Sequence, residues 1–489
     1  MININLRLFK KLSFLSKKIL NDKTSTVFTY AINSLHVLRA HPDYLEEQKI
    51  FFNKIYQNNF FLFTLFKSSL KFLYLILEDL IISIFIKSKT LNEDKKIIFV
   101  SHIFNKNVLD KIVHDKFYLY LKSHYKNCDL IYLNHTSVNS KKLSAKKKII
   151  ILDNILSIHY EILIFFWQIR EAKTLFINLY FKKKISFLFF FKILLSIFSF
   201  RTRKNLRYYF QFNKIFKKKV DILISTYEGF AWEKMLFYAF KNNNLSSKSI
   251  GYQHVGLFKN QFWIHDLKKI NYNPDYILTA GNRNSRLLIR KNINYKDRIF
   301  NIGSSRYASK NSSRVKKNFS CIVLPEGSIN ETNKLFKFAL ETAKLRKDIY
   351  FLFRTHPLID IEKILENSFY NEIKYLENIS VSKNDFFHDL SNNNFALYRG
   401  STAIITALHK GLVPIYYRHP NDIFNIDPIY DINKKNRFLV KKSDDLITII
   451  TKNINYYKKI IIYNKKYALN FYSAQTNVKF KNFSNFIEN

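Results

Sequence analysis

A chain of 489 residues is long enough for two or three domains, each with its own hydrophobic core. An apolar content of 47% excludes a disordered protein, and a total of two cysteines, Cys128 and Cys321, excludes a disulfide framework and favours a reducing, cytoplasmic setting. The formal net charge of +43 is typical of proteins that bind nucleic acid or an anionic membrane, but a bias toward AT-rich codons explains the lysine excess equally well.

Residues 1–94 are predicted to form a helical, membrane-proximal region. The start, MININLRLFKKLSFLSKKIL, lacks an uninterrupted apolar core and a small-residue cleavage site, so it indicates a basic amphipathic helix rather than a secretory signal. The apolar segment 60–87 is interrupted by charged residues and is not expected to span a bilayer. Segment 185–200, flanked by lysines and arginines, is either an interfacial helix or a buried core helix.

Strand and helix patterns alternate from residue 95 onward. KKIIFVSH and KKKIIILDN are typical of buried strands, and KVDILISTYEGFAWEKMLFYAFK predicts a strand, a turn at Gly229 and a helix. SKSIGYQHVG, PDYILTAGNRNSRLLIRK and DRIFNIGSSRY continue this alternation. We therefore expect a first Rossmann-like domain over 95–310 that carries a helical insertion.

After the polar stretch SKNSSRVKKN the pattern starts again. Strands are predicted in FSCIVLPEG and DIYFLFRTHP. The run FALYRGSTAIITALHKGLVPIYY predicts a strand, a tight turn, a helix and a further strand. A second Rossmann-like domain is therefore expected over 311–455. A helix over 456–489 is expected to return to the first domain. The predicted fold class is α/β, with two doubly wound domains facing a cleft and extra N-terminal helices.

Arg354, His356 and Pro357 follow a predicted strand of the second domain. An arginine fork matches the oxygens of a phosphate, and an imidazole can hydrogen-bond a phosphate or donate a proton to it. Proline ends the strand and fixes the direction in which the chain leaves. Taken alone, this pattern is better explained by ordinary surface contacts.

A second group, Arg399, Gly400, Ser401 and Thr402, closes the next strand and opens a helix. A helix start presents backbone amides, a hydroxyl and the positive end of the dipole, although Ser and Thr are also the commonest plain caps. Together with Arg354 on a neighbouring strand end, these residues predict a diphosphate or phosphodiester site.

Two glycine turns flank the predicted domain boundary. NIGSSRY contains Gly303, Ser304 and Ser305, and LPEGS contains Glu326. Both turns combine small hydroxyl residues with a glycine after a strand, which suits close approach of the backbone to a nucleotide. Each signal is weak when it is taken alone.

In the first domain the candidate catalytic residues are Glu228 and His254. A carboxylate at a strand-to-helix turn can serve as a general base if burial raises its pKa. His254 follows the next strand and is expected to face the same cleft. Glu233, one turn into the helix, is better explained as a charge favoured by the helix dipole.

The sequence contains no P-loop, no GxGxxG, no HExxH and no DxD of the kind that holds a nucleotide-sugar metal. These absences disfavour kinases, dehydrogenases and metal-dependent transferases. We therefore expect neither a metal nor a resident cofactor.

A carboxylate–glycine turn in the first domain, an HP pair ending a strand in the second, and the GST that follows resemble bacterial glycosyltransferases of the GT-B fold. These are the sialyltransferase, polysialyltransferase and Kdo-transferase families of capsule and lipopolysaccharide synthesis. YEGFAWEKMLFYAFK and SIGYQHVGLFKNQFWI are also similar to an uncharacterised group of surface carbohydrate biosynthesis proteins, and the RxHP element is shared with the CDP-glycerol polymerases. The resemblance covers roughly residues 221–417.

In those families an acidic pair before glycine carries the base, HP contacts the CMP of the donor, and a Ser-Ser/Thr motif helps to hold its phosphate. The resemblance implies that Glu228 is the base and that the second-domain residues bind the nucleotide. One departure is Tyr227, which stands at the first acidic position. Either Glu228 takes that role or the base lies elsewhere, with His254 and Glu326 as the next candidates.

The resemblance implies a metal-independent, inverting glycosyltransferase that uses a CMP-activated acidic sugar, with the acceptor in the first domain and the donor in the second. A CDP-polyol, UDP-sugar or GDP-sugar donor is the alternative, and a non-catalytic membrane- or nucleic-acid-binding protein is the alternative of another class. The expected partners are a nucleotide-sugar donor, a glycan or lipid-linked glycan acceptor, and the inner face of the cytoplasmic membrane. Nucleic acid is not an expected partner.

Overall fold

The computed structural model confirms the predicted α/β architecture, with two doubly wound parallel sheets that face each other across a cleft. It describes residues 6–36, 94–103, 128–135, 149–181, 187–259, 270–307, 319–357, 375–422 and 424–488, together with a few isolated positions between these ranges. The predicted domain boundary at 310 falls between these ranges, and so does most of segment 60–87.

The first sheet contains seven strands: β1 (Lys95–Ile103), β2 (Cys128–Asn134), β3 (Ile149–Ile151), β4 (Val220–Thr226), β5 (Lys248–Gln253), β6 (Tyr276–Thr279) and β7 (Ile299–Asn301). Their order is β3-β2-β1-β4-β5-β6-β7, and every neighbouring pair is parallel. The strand order therefore reverses between β1 and β4, which is where doubly wound sheets open a crevice for ligands.

The second sheet contains six strands: β8 (Ser320–Leu324), β9 (Tyr350–Phe353), β10 (Ile379–Val381), β11 (Phe395–Tyr398), β12 (Val413–Tyr417) and β13 (Phe438–Val440). Their order is β10-β9-β8-β11-β12-β13, again with parallel pairs only. All residues of β8, β11 and β12 are buried, as expected for central strands covered on both faces. The order reverses between β8 and β11.

The helices cover the faces of these sheets and build the N-terminal region. Those before and within the first domain are α1 (Leu6–Leu20), α2 (Val27–Ala31), α3 (Ile158–Leu175), α4 (Phe187–Ile197), α5 (Phe200–Ile215), α6 (Ala231–Asn243) and α7 (Asn282–Lys291), and a π-helical turn (Phe176–Phe181) follows α3. The remaining helices are α8 (Ile329–Leu345), α9 (Phe386–Ser391), α10 (Ala403–His409), α11 (Ser443–Ile450), α12 (Lys458–Phe471) and α13 (Asn477–Glu488). Among the described residues, no helix combines the length and the apolar character needed to cross a membrane.

Helices α1 to α5 share one hydrophobic core. Phe190, Ile193 and Ile197 of α4 are buried in it, which agrees with the core-helix interpretation of segment 185–200 over α4. A buried carboxylate, Glu161 of α3, accepts hydrogen bonds from two arginines of α5 and thereby ties α3 to α5. The helical insertion is therefore packed into the first domain.

The C-terminal residues pass from the second domain back to the first. Helix α12 packs against α10 and also contacts α7. Beyond it, the N–H of Ser473 donates to the carbonyl of Ala280 at 3.0 Å, and the N–H of Ser304 donates to the carbonyl of Ser473 at 3.0 Å. Phe480 and Phe483 of α13 then pack against the first sheet. The tail thus bridges the two domains.

Candidate functional site

A cavity of about 910 Å³ lies between the carboxyl edges of the two sheets. Its lining includes, from the first domain, Glu228, His254, Ser304, Ser305 and Arg306, and from the second, Glu326, Arg354, His356, Pro357, Gly400, Ser401 and Thr402. These residues follow β4, β5, β7, β8, β9 and β11. Because all the strands of each sheet are parallel, their carboxyl ends gather residues from distant parts of the chain at one edge.

The first-domain side of the cavity contains a carboxylate–imidazole pair. Glu228 Oε1 lies 3.8 Å from His254 Nε2, and the Glu228 side chain is the more exposed of the two. Burial, followed by the charge of Arg306 and then that of His102, lowers the pKa of His254 well below its ordinary value. At neutral pH His254 is therefore a neutral imidazole beside a solvent-accessible carboxylate.

Glu233 holds the turn that presents Glu228. Its carboxylate accepts hydrogen bonds from the N–H groups of Glu228 at 2.9 Å, Gly229 at 2.6 Å and Phe230 at 2.9 Å. Burial, followed by the nearby Glu228 carboxylate, raises the pKa of Glu233. Glu233 lies in the first turn of α6, as predicted, and its side chain is fully buried rather than open to the cavity.

Tyr227, at the position where the resembling families carry an acidic residue, points away from the cavity. It is fully buried, its hydroxyl donates to Asn273 Oδ1 at 2.8 Å, and the Lys234 ammonium donates to that hydroxyl at 3.1 Å. This position therefore supplies no group to the cavity. Among the residues of the YEG turn, Glu228 is the one whose side chain is placed to accept a proton there.

On the second-domain side, Arg354 is held at one end of its guanidinium. Its Nη1 donates to Ser382 Oγ at 2.7 Å and to the carbonyl of Asn384 at 2.8 Å, and it pairs with the buried carboxylate of Asp389. The side chain keeps 24% of its surface exposed. A guanidinium fixed in this way presents a permanent positive charge to the cavity with little loss of entropy on binding an anion.

His356 lies against the LPEGS turn. A Cβ built on Gly327 would come within 3.1 Å of His356 Nδ1, so the imidazole packs on this backbone. Burial, followed by Arg306, lowers the pKa of His356, whereas Glu326 acts in the opposite direction. The ring is half-buried and faces the same cavity as Arg354.

The carboxyl group of Glu326 covers the turn after β11. Gly400 has a φ of +68°, and a Cβ added there would lie 2.6 Å from Glu326 Oε2. A side chain at position 400 would therefore be strained and would also displace the carboxylate. Ser401 and Thr402 follow directly and line the cavity next to Glu326, ahead of the short helix α10.

Two predicted site residues do not line the cavity. Arg399 is wrong as a nucleotide-binding residue because it is fully buried, in ion pairs with Glu331 of α8 and with Asp422. Side chains alternate between the two faces of a strand, and Arg399 falls on the face that α8 covers. It stabilises the second domain instead.

Gly303 is the other residue outside the cavity lining. Its φ is +90°, its carbonyl accepts a hydrogen bond from the Tyr252 hydroxyl at 2.9 Å, and an added Cβ would come within 2.6 Å of the carbonyl oxygen of Ala474. The prediction of a close backbone approach is confirmed. The backbone that approaches is the C-terminal tail, so Gly303 is wrong as a direct nucleotide contact.

Arg306 is a cavity residue that the sequence analysis missed. Its guanidinium donates to the Tyr472 hydroxyl at 3.0 Å and lies 3.5 Å from Thr402 Oγ1 across the cleft. Its charge lowers the pKa of both His254 and His356, which places it between the two halves of the site. The available signal was its position directly after Ser305, where it is the cation of the NIGSSRY turn.

No protein-family model matches the sequence, and neither does any curated protein. Among solved structures, the chain is similar to the glycotransferase of kitacinnamycin, with 11% identity, 81% of this chain and 99% of that chain covered, and a TM-score of 0.47. It is also similar to a putative UDP-N-acetylglucosamine 2-epimerase from Listeria monocytogenes, with 12% identity, and to the calicheamicin glycosyltransferase CalG4, with 9% identity. Each of these two comparisons covers 81% of this chain and 98% of the other chain, with a TM-score of 0.46.

Proposed function

We propose that this protein is a glycosyltransferase that moves a sugar from a nucleotide-activated donor to a glycan acceptor. One observation carries the proposal: a carboxylate–imidazole pair from one domain and a phosphate-binding set from the other converge on a single cavity. The cavity volume of about 910 Å³ is within the range of small-molecule sites that enclose a ligand of this size. These are the two sets of groups that glycosyl transfer needs.

The second domain is proposed to hold the leaving group. When the bond between the anomeric carbon and the phosphate oxygen breaks, its electron pair stays on that oxygen and negative charge grows there. Arg354, His356 and Arg306 face this part of the cavity, and fixed donors stabilise such a transition state more than the ground state. The carboxylate of Glu326 suits the hydroxyl groups of a ribose better than it suits a phosphate, because two anions repel each other.

The first domain is proposed to activate the acceptor. The acceptor hydroxyl attacks the anomeric carbon from the face opposite the leaving phosphate, and its proton passes to the Glu228 carboxylate. Attack from that face inverts the configuration of the sugar. His254, neutral and 3.8 Å from Glu228, is placed to orient the carboxylate without neutralising it.

The finer proposal is that the donor is a CMP-activated acidic sugar. It is supported by the HP pair at His356–Pro357 and the hydroxyl pair at Ser401–Thr402, both of which line the cavity. A sugar carboxylate would also be favoured by the nearby Arg306. The other donors with the same requirements are CDP-polyols and UDP- or GDP-sugars.

The test is nucleotide binding followed by transfer. We expect the thermal midpoint of the full-length protein to rise with CMP more than with CDP, UDP or GDP, and to rise less in His356→Ala. Selective stabilisation by UDP or GDP would overturn the cytidine assignment and leave the transferase proposal standing. Salt-dependent DNA binding with no stabilisation by any nucleotide would show a non-catalytic binding protein instead.

We further propose that the enzyme attaches peripherally to the inner face of the cytoplasmic membrane. Support comes from an apolar stripe on α3, formed by Ile158, Ile162, Phe166 and Ile169, which are 41%, 42%, 61% and 44% exposed. Their spacing places them along one side of the helix, and α3 also carries exposed basic residues. An anionic lipid surface matches both this stripe and the net charge of +43.

Vesicle co-sedimentation tests this location. Full-length protein should bind vesicles that contain phosphatidylglycerol better than pure phosphatidylcholine vesicles, and high salt should weaken the binding. Phe166→Ser should reduce the binding, whereas Leu245→Ser, which removes a 91% exposed side chain outside the stripe, should not. Equal binding by both variants, or no binding by the wild type, would contradict the proposal.

A further inference from the structure

Three basic side chains lie together at the carboxyl edge of the first sheet, outside the cavity lining. His102 is near the end of β1, His135 directly follows β2, and Lys204 is in α5. His102 Nδ1 is 2.9 Å from His135 Nε2, and the Lys204 ammonium donates to the carbonyl of Asn134, beside His135, at 3.1 Å. We call these three residues the basic cluster.

The geometry of the basic cluster is fixed on its inner side by residues of the first domain. His102 Nε2 is 2.9 Å from Thr226 Oγ1, and the ring meets Trp232 edge-on at 5.2 Å. Both ring nitrogens of His102 are thus engaged, one of them with His135, which is the solvent-exposed member. A ligand would therefore meet His135 and Lys204 first, with His102 behind them.

Among the described residues, the groups recorded as acting on the basic cluster are basic or neutral. Burial and then His135 lower the pKa of His102 to about 3. Burial and then Arg207 lower the pKa of Lys204. His102 also faces Thr226, Trp232 and His254. An anion bound here would favour the charged forms, so binding would raise these pKa values and take up protons.

We propose that the basic cluster binds an anionic group of the acceptor, either a phosphate or a carboxylate. This inference rests on the proposed function, in which the first domain holds the acceptor. The order β2-β1-β4-β5 places the cluster on the same edge as Glu228 and His254. With strands about 4.8 Å apart, His102 and His135 lie about 10 to 14 Å along that edge from His254. Such a separation suits an acceptor of more than one sugar.

Imidazole titration of the full-length protein by NMR is the direct test. The signals of the two histidines are assigned by their loss in His102→Gln and His135→Gln. The probes are inorganic phosphate, glucose 6-phosphate and glucuronate, each compared with chloride at equal ionic strength. We expect at least one probe to shift the signals of both histidines at pH 7, where the protein is folded, whereas the signal of exposed His159 stays in place. No response of either signal to any probe would overturn the proposal.

The comparison between probes identifies the source of the negative charge. A response to phosphate and glucose 6-phosphate alone assigns a phosphorylated or lipid-phosphate acceptor, and a response to glucuronate alone assigns an acidic sugar. Equal movement of the His159 signal would show a general salt effect and would count against the site.

Transfer kinetics separate this inference from the proposed function. With an anionic acceptor, His135→Gln should raise the acceptor KM about tenfold, the value of one charged hydrogen bond, with the donor KM and the KM of a neutral acceptor unchanged. His159→Gln is the matched control. If the wild type transfers sugar and His135→Gln behaves identically, the cluster proposal fails and the function stands. If the probes bind but no nucleotide-sugar is used, the function fails and the cluster remains an anion site.

Discussion

The two sheet edges that face the cavity are built from different kinds of side chain. The first edge carries titratable groups, among them Glu228, His254 and His102, with the pKa of both imidazoles lowered first by burial. The second edge carries His356 and Arg354, whose guanidinium is pinned by the Asp389 carboxylate. Under the proposed function, the first edge accepts the proton of the acceptor and the second holds the leaving phosphate, which Arg306 of the first domain also faces.

Replacing the proton acceptor should have the largest effect on activity. Glu228→Gln keeps the size of the side chain and the turn but removes the base, so transfer should fall by roughly 10²–10⁴ while nucleotide binding survives. Steady-state transfer assays with a thermal-shift check of donor binding measure both. An active Glu228→Gln beside an inactive His254→Ala would assign the base to His254.

Removing a donor from the second edge should cost somewhat less. His356→Ala deletes a group that stabilises charge on the leaving phosphate, and the loss of one such donor typically lowers kcat by about 10²–10³. Because the ring is half-buried on the Gly327 backbone, circular dichroism should show an intact fold. Activity within a few-fold of wild type, with normal donor KM, would make His356 a structural residue.

The buried Arg399, behind the second edge, should affect the stability of the protein rather than its transfer activity. Arg399→Met leaves Glu331 and Asp422 buried beside a neutral side chain, and breaking a buried pair in this way costs about 3–5 kcal/mol. The matched control is Arg346→Met, which breaks an exposed pair with Asp348 and should cost far less, because solvent screens such a pair. Urea unfolding measures both variants, and similar losses would contradict the buried role of Arg399.

Acid should loosen the first domain before the second. Burial is the first cause that lowers the pKa of His36 and of His102 to about 3, and unfolding returns each to about 6.5. Below pH 6.5 the unfolded chain therefore binds protons that the folded chain does not, so stability falls as the pH drops from 6.5 toward these values. Each such histidine contributes at most about 1.4 kcal/mol per pH unit.

Intrinsic fluorescence reports on this difference, because all three tryptophans, Trp167, Trp232 and Trp263, precede the second domain in the sequence. The second-domain histidines, among them His356, are half-buried and should couple more weakly to unfolding. On acidification the fluorescence transition should therefore come at a higher pH than the loss of ellipticity. If the two transitions coincide, or if ellipticity is lost first, the first domain is not the more acid-sensitive of the two.

Sequence patterns predicted the site best where function depends on strand ends. The runs before Glu228, His254, Arg354 and Ser401 are apolar enough to identify buried strands, and parallel topology then gathers their ends at one cavity. The same reasoning failed for Arg399, because the end of a strand fixes the position of a residue but not the face that its side chain occupies.

The basic cluster shows why the other residues near the site could not be predicted from the sequence. KKIIFVSH was predicted as a strand, but His102 forms the cluster only together with His135. His135 follows β2, a strand that was not predicted. The strands β10 and β13 were also missed, although β3 and β7, which are equally short, were predicted. Arg306 depends in the same way on Tyr472 and Thr402, more than 90 residues away in the sequence.

The return of the tail has a mechanical consequence. The chain passes from the first domain to the second between Tyr307 and Phe319, and it passes back at Ser473, where backbone hydrogen bonds join it to Ala280 and Ser304. Arg283 of α7 also pairs with Asp431 of the second domain, so side-chain contacts join the two domains as well. The tail therefore limits how far the two sheets can separate beside Arg306, whose partner Tyr472 precedes the crossing.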